Sequence, residues 1–115
     1  MTVKELTELT DFTVLALPHP EMQIDGCYIG DLLSWVMANG SEGMAWITVQ
    51  THMNVIAVAS LLDFACVIIP ENLPVEAPII KKAQDEDIII LSSSMTAYEL
   101  VTLLAGNGVP SAKKG

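Results

Sequence analysis

The segment Thr48-Val49-Gln50-Thr51-His52-Met53-Asn54 brings two hydroxyls, two amides and an imidazole together between a strand-like run and a helical one. Groups of these types exchange hydrogen bonds with a ligand, and in open α/β sheets the start of the helix that follows a strand turns backbone N–H groups outward to meet one. Thr48, Gln50, Thr51, His52 and Asn54 are therefore ligand-binding candidates. The plainer alternative has Thr51 capping the helix, with His52 and Asn54 solvated or crossing a subunit contact. Ser92-Ser93-Ser94-Met95-Thr96 is a second loop of this kind, in which the hydroxyls of Ser92, Ser93, Ser94 and Thr96 could hold a phosphate or carboxylate. It contains no Lys or Arg, so anion affinity there would rest on N–H groups and the helix dipole alone. A polar turn capped by Thr96 explains the same residues without a ligand.

Other chemistry finds little support. No G-x-S-x-G elbow surrounds any serine, and no G-x-x-x-x-G-K-[ST] phosphate loop is present. Thr51 and His52 could be drawn as nucleophile and base, but sequence neighbours at a helix start point apart. His19, Cys27, His52 and Cys66 lack the close ligand pairs of structural zinc sites. Asp85-Glu86-Asp87 reads as a solvated turn, since a metal cluster would need further ligands from elsewhere in the chain. Trp35 and Trp46 suit core or interface packing better than a stacking platform. The expectation is a chain with no catalytic residues, no metal and no cofactor.

The elements that must position these loops follow from capping signals and apolar periodicity. Thr2-Val3-Lys4-Glu5 and Thr96-Ala97-Tyr98-Glu99 both have capping-box spacing, the first ahead of a short helix, the second ahead of a helix carrying Leu100, Leu103 and Leu104 and ended by Gly106. Phe12 to Leu17 reads as a strand stopped by Pro18-His19-Pro20, and Cys27-Tyr28-Ile29 as a very short one. Asp31 can cap a helix whose inner side is Leu32, Leu33, Val36 and Met37, stopped at Asn39-Gly40. Met44 to Val49 is a strand; a helix from about His52 to Leu62 follows, apolar on nearly every side. Ala65 to Ile69 and Ile88 to Leu91 are further strands, with a helix starting at Pro78 between them. Alternation of strands and helices from Met44 onward predicts an α/β fold, a mostly parallel sheet with helices on both faces in a single compact domain. The domain is expected over residues 1–108, with 109–115 a flexible C-terminal tail.

Composition narrows the partners. A chain of 115 residues is sized for one domain, and 51% apolar residues with mean hydropathy +0.48 suggests that some apolar surface faces another subunit. Fourteen acidic against five basic side chains give a charge of −9, which repels phosphate backbones and argues against nucleic acid. The longest apolar stretch, Val55 to Ile69, is interrupted by Asp63 and falls short of the roughly 18 residues of a membrane span. Met1-Thr2-Val3-Lys4-Glu5 is not the start of a secretory signal, so a cytoplasmic location is expected, with Cys27 and Cys66 as free thiols of the core.

Gly30-Asp31-Leu32-Leu33-Ser34, Ala45 to Asn54, and the helical run Val55 to Ala59 together resemble the DRTGG domain family, and the likeness continues through Ile68-Ile69-Pro70-Glu71-Asn72-Leu73-Pro74 and Ala83 to Leu91. Such domains resemble the N-terminal module of HPr kinase/phosphorylase and occur beside CBS domains and in phosphotransacetylases. The resemblance implies a regulatory or dimer-forming part without catalysis. The two name-giving loops differ here: Thr51-His52 stands where the family has Asp-Arg, and Pro70-Glu71-Asn72 where it has Thr-Gly-Gly. The function expected is a stand-alone regulatory or ligand-sensing module that forms a homodimer through Val55, Val58 and Leu62. The alternative is an adaptor that presents its acidic surface to a separate enzyme or kinase.

Overall fold

Both Thr-x-x-Glu spacings form the capping boxes they predict. Thr2 Oγ1 accepts from the Glu5 N–H at 3.1 Å while Glu5 Oε1 accepts from the Thr2 N–H at 2.8 Å, and Thr96 and Glu99 repeat the exchange at 3.2 and 3.0 Å. The structure, a computed structural model, describes residues 1–111. Its elements run α1 (Val3–Leu9), β1 (Phe12–Ala16), β2 (Gly26–Ile29), α2 (Leu33–Asn39), β3 (Met44–Ile47), α3 (Met53–Leu61), β4 (Cys66–Ile69), α4 (Ala77–Asp85), β5 (Ile90–Ser93) and α5 (Ala97–Gly106). They form one α/β domain.

The strands make a single sheet in the order β1-β5-β4-β3-β2, with β2 to β5 parallel and β1 antiparallel on the edge beside β5. The chain steps from β2 to β5 in one direction, so a constant crossover hand puts α2, α3 and α4 on the same face. Strand alternation divides the core accordingly. Met44, Trp46, Val67 and Ile69 pack with Val36, Ile56 and Ala83 of those helices. Ala45, Ile47, Cys66 and Ile68 pack on the other face with Leu6 of α1 and Leu100 and Leu104 of α5. β3 and β4 are buried at every position because both faces are covered, which is why they read as unbroken apolar runs.

Three helices stop in the same way. Asp63, Asp87 and Gly108 adopt φ of 55°, 59° and 86°, and the next N–H of each returns to the helix: Phe64 to Ala59, Ile88 to Ala83, Val109 to Leu104. This is the Schellman arrangement, in which a left-handed residue is followed by an apolar one that folds back onto the core. The stop for α5 is thus Gly108, two residues beyond the expected Gly106. At Gly40 the constraint is space: an added Cβ would lie 2.6 Å from Phe64 Cζ and 2.7 Å from the Val36 carbonyl oxygen.

Several expectations are corrected. Asp31 does not cap α2, whose N-cap is Leu32 without a side-chain hydrogen bond. Of the four positions expected to face inward there, only Val36 is fully buried; Leu32 and Met37 are exposed, because α2 lies toward the β2 edge with little sheet beneath it. In α3, Val55 and Val58 are buried inside the protomer, and Leu62 packs half-buried against the same core, so these three do not form an outer surface. The sheet lies beneath α3 and its flanks pack against α2 and α4, which leaves Ala57 and Leu61 facing out. The fifth strand starts at Ile90 and runs through Ser93, two residues later than expected. Pro78 is the second residue of α4, which begins at Ala77.

Cys27 and Cys66 are free and stand in one row across the sheet, with Ala45 of β3 between them. Two strand spacings separate their Cα atoms by about 10 Å, beyond the reach of a disulfide. Past residue 108 the chain stays on the domain: Val109 is buried, and the Pro110 carbonyl accepts from the Cys27 N–H at 3.0 Å beside a parallel bridge from Ser111 to Cys27. The remainder of the expected tail, residues 112–115, lies outside the described residues. Among the described residues no helix is long and apolar enough to cross a membrane.

Candidate functional site

The carboxyl ends of β2 to β5 carry four loops along one edge of the sheet, and hydrogen bonds stitch them into two pairs. In the first pair, Asp31 Oδ1 accepts from Thr48 Oγ1 and from the Val49 N–H, both at 2.8 Å. The Asp31 carbonyl accepts from Gln50 Nε2 at 3.2 Å, and Thr48 Oγ1 accepts in turn from the Gln50 N–H at 3.1 Å. Trp46 Nε1 donates to the Gly30 carbonyl at 2.9 Å from beneath, which holds the same turn against β3. Asp31 therefore joins the β2–α2 loop to the β3–α3 loop. Sequence reasoning took it for a helix cap; its place directly after a strand end, beside Gly30, was the available signal.

The second pair is joined by Pro70-Glu71-Asn72. The Glu71 and Asn72 N–H groups donate to the carbonyls of Met95 and Ser93 at 2.9 and 2.8 Å, with φ of 59° and 52° at the two residues. Two consecutive left-handed residues turn successive N–H groups to one side, which is how this loop reaches the β5–α5 turn. Glycine adopts that conformation without steric cost, whereas a side chain such as that of Glu71 does so under strain. These are the positions at which the DRTGG pattern has Gly-Gly.

The candidate residues divide into those spent on the fold and those left to solvent. Thr48 is buried and engaged with Asp31 and Gln50. His52, not Thr51, is the N-cap of α3; its Nδ1 accepts from the Asn54 N–H at 3.1 Å, so a neutral imidazole carries its proton on the exposed Nε2. Ser92 and Ser93 are not loop residues: they are buried in β5, paired with Thr13 and Phe12, and Ser93 Oγ accepts from the Met95 N–H at 3.0 Å. Thr96 Oγ1 is engaged in its capping box, which leaves Ser94 as the exposed hydroxyl of that turn without a structural bond assigned to it. The exposed candidates without a side-chain role in joining the loops are thus Asn54 and Ser94, with the Nε2 of His52 and the Oε1 of Gln50 also exposed beside the carboxylates of Asp31 and Glu71.

Such an edge can bind and orient through hydrogen bonds. Lys4 stands in the first turn of α1, whose start is tied to Pro20 and Met22 at the opposite end of the sheet, and Lys81 and Lys82 pair with Asp85 and Glu86 on α4. The thiols are not poised as nucleophiles. Burial pushes Cys27 up to about 11 and raises Cys66 further, the nearby Cys27 adding to the effect.

The fold defines a class before it suggests a role: an α/β domain with an antiparallel edge strand and with its hydrogen-bonded loops at the carboxyl ends of four parallel strands. No protein-family model matches the chain, and no curated protein matches it in sequence. Among solved structures it is similar to the CBS and DRTGG domains of the regulatory region of Clostridium perfringens pyrophosphatase, a crystal structure complexed with an activator, diadenosine tetraphosphate. The likeness has a TM-score of 0.73 at 12% identity and covers 98% of this chain and 50% of that one. It is a likeness of fold, and this chain spans about half the length of that structure.

Proposed function

We propose that this chain is a non-catalytic regulatory module that senses a small molecule at the carboxyl edge of its sheet and works as a homodimer in the cytoplasm. The observation that carries the reading is the shared fold, over nearly the whole chain, with a regulatory region whose structure holds a nucleotide activator. The edge supports it, because Gln50 Oε1, His52 Nε2 and Ser94 on the loops and Asn54 in the first turn of α3 present donors and acceptors on segments fixed by a rigid sheet. The same edge carries carboxylates and, among the described residues, no lysine or arginine. A polyphosphate chain would meet repulsion there, so the favoured ligand is a neutral or cationic group rich in hydrogen-bonding edges, such as a nucleobase, nucleoside or amine.

The test is a thermal-shift screen of nucleosides, nucleotides, dinucleoside polyphosphates, amines and small anions. A ligand that binds only the folded state adds about 2.7 kcal/mol at a hundred times its Kd. His52→Ala with Asn54→Ala should abolish the shift from any binder. A shift unchanged in that double variant would remove the site from this edge, and an absence of shifts across the panel would count against ligand sensing altogether.

A further inference from the structure

The chain has asparagines at 39, 54, 72 and 107, and two of them, Asn39 and Asn107, precede a glycine. Glycine has no Cβ to obstruct the approach of its own nitrogen to the preceding side-chain amide, so Asn-Gly closes a five-membered ring more readily than Asn-Val or Asn-Leu. The tertiary structure separates the two pairs. Asn107 and Gly108 are exposed, and a Cβ added at Gly108 would meet nothing within 4 Å beyond its chain neighbours. Asn39 and Gly40 are half-buried, with Gly40 against the Phe64 ring and its N–H donating to the Val36 carbonyl at 2.7 Å. Each asparagine Nδ2 donates to the carbonyl four residues before it, Trp35 or Leu103, so that bond does not distinguish them.

The motion each pair needs does. Ring closure requires the ψ of Asn107 to turn well away from its 17°, until the Gly108 nitrogen faces the side-chain carbon. That turn lifts Gly108 and Val109 off the end of α5. It breaks the bond of the Gly108 N–H to the Ala105 carbonyl at 3.1 Å and that of the Val109 N–H to the Leu104 carbonyl at 3.0 Å. Beyond these, among the described residues, the strap from Val109 to Ser111 is held by the buried Val109 side chain and by its pairing with Cys27. At Asn39 the same turn drags the segment that enters β3, where Gly43 is tied to Asp63 at 2.9 Å and to Asp25 at 2.8 Å. Opening the end of α5 thus disturbs one terminal strap, whereas opening the end of α2 disturbs the core around Phe64.

We propose that Asn107 is a site of spontaneous covalent modification in the folded protein, deamidating through a succinimide with Gly108, and that Asn39 is protected. The Gly108 nitrogen bonds to Cγ of Asn107 and gives up its proton, and Nδ2 leaves as ammonia. Water then opens the ring at one of its two carbonyls. Breaking the new bond between Cγ and nitrogen leaves aspartate in an ordinary backbone. Breaking the original peptide bond leaves isoaspartate, whose backbone runs through the side chain and is one carbon longer. Either product puts a carboxylate at the C-terminal end of α5, where the helix dipole disfavours negative charge. The isoaspartate also shifts the chain ahead of Val109, which then cannot keep both its burial and its bond to Leu104. The strap leaves β2, and the cleft of about 250 Å3 that Val109, Pro110 and Ser111 help to wall opens onto Cys27 and Leu104.

Peptide mass mapping of the whole chain incubated in mildly alkaline buffer, beside the same chain in guanidinium chloride, reads both pairs at once. In the folded protein Asn107 should convert at least about tenfold faster than Asn39, whereas in denaturant the two rates should be similar. Asn107→Gln, whose amide would have to close a six-membered ring, should lose the change at that position. Val109→Ala weakens the hold on the strap and should raise the ratio of the Asn107 rate to the Asn39 rate several-fold; taking the ratio discounts any loosening of the whole fold. Alkylation by iodoacetamide reads the consequence: in the isolated isoaspartate fraction Cys27 should label several-fold faster than in fresh protein, with the buried Cys66 unlabelled in both. Equal rates at Asn39 and Asn107 in the folded protein, no conversion at Asn107 while the denatured sample reacts, or an unchanged ratio in Val109→Ala would each overturn the assignment. Equal labelling of Cys27 in the two fractions would overturn the release of the strap.

Discussion

Removing the Asp31 carboxylate should loosen the candidate site in a measurable way. Its Oδ1 takes two hydrogen bonds, from Thr48 Oγ1 and the Val49 N–H, each at 2.8 Å. A hydrogen bond to a charged group contributes about 1.5 to 3 kcal/mol, but Asp31 is exposed and water replaces part of what is lost, so about 1 to 2 kcal/mol in total is expected for Asp31→Ala. At roughly 2.1 cal/mol/K per residue of unfolding entropy, that is a fall in Tm of about 4 to 8 °C for a chain of this length. Asp31→Asn retains an acceptor and should lose roughly half as much. Thr48→Val removes the buried hydroxyl from the same network, so the two substitutions must couple: the Asp31→Ala/Thr48→Val variant should fall short of the sum of the single losses by about 1 kcal/mol. Calorimetric or urea melts of the four proteins complete the cycle. Strict additivity, or an Asp31→Ala protein melting within about 1 °C of the wild type, would show that the two loops are not joined through this carboxylate.

The remaining expectations concern the core thiols and the strained loop. Cys27 is raised to about 11 and Cys66 further in the folded state, whereas an unfolded thiol ionises near 8.5. Their contribution to stability is thus complete below about pH 8.5 and is lost as pH rises toward 11, because only the unfolded chain can ionise there. Urea midpoints at pH 7.5 and 10 should differ more in the wild type than in a Cys27→Ala/Cys66→Ala variant, and equal declines would contradict the assignment. Glu71→Gly relieves a left-handed side chain and should raise stability by up to about 1 kcal/mol, net of the greater freedom of glycine in the unfolded chain, while Glu71→Val should lower it. A drop in melting temperature for Glu71→Gly would mean that the Glu71 side chain contributes more than its conformation costs.

Local and periodic signals carried most of the fold. The two capping boxes depend on residues three apart and need nothing from the rest of the chain, so Thr2 and Thr96 could be read directly. Runs such as Met44 to Ile47 and Cys66 to Ile69 announce strands covered on both faces, because no other strand environment tolerates apolar side chains at every position. The chemical types available at Thr48 to Asn54 were equally plain.

What those types do was decided by contacts distant in sequence. Asp31 and Thr48 meet because β2 and β3 are parallel neighbours whose ends coincide, a pairing invisible to any short window. Ser92 and Ser93 look like loop residues, yet they are strand residues because the antiparallel β1 extends the ladder past Leu91 and accommodates their small polar side chains beside it. The uniformly apolar α3 implied burial on more than one side, but which side chains remained outside depended on α2 and α4 flanking it, and that placement buries Val55 and Val58 and exposes Leu61. Sequence alone thus determined which elements form and which surfaces need cover, since propensity, capping and periodicity act over a few residues. Only the tertiary structure decided which polar groups are spent on holding the edge together and which remain exposed, since a hydrogen bond or a buried face is shared between segments that the chain brings together only by folding.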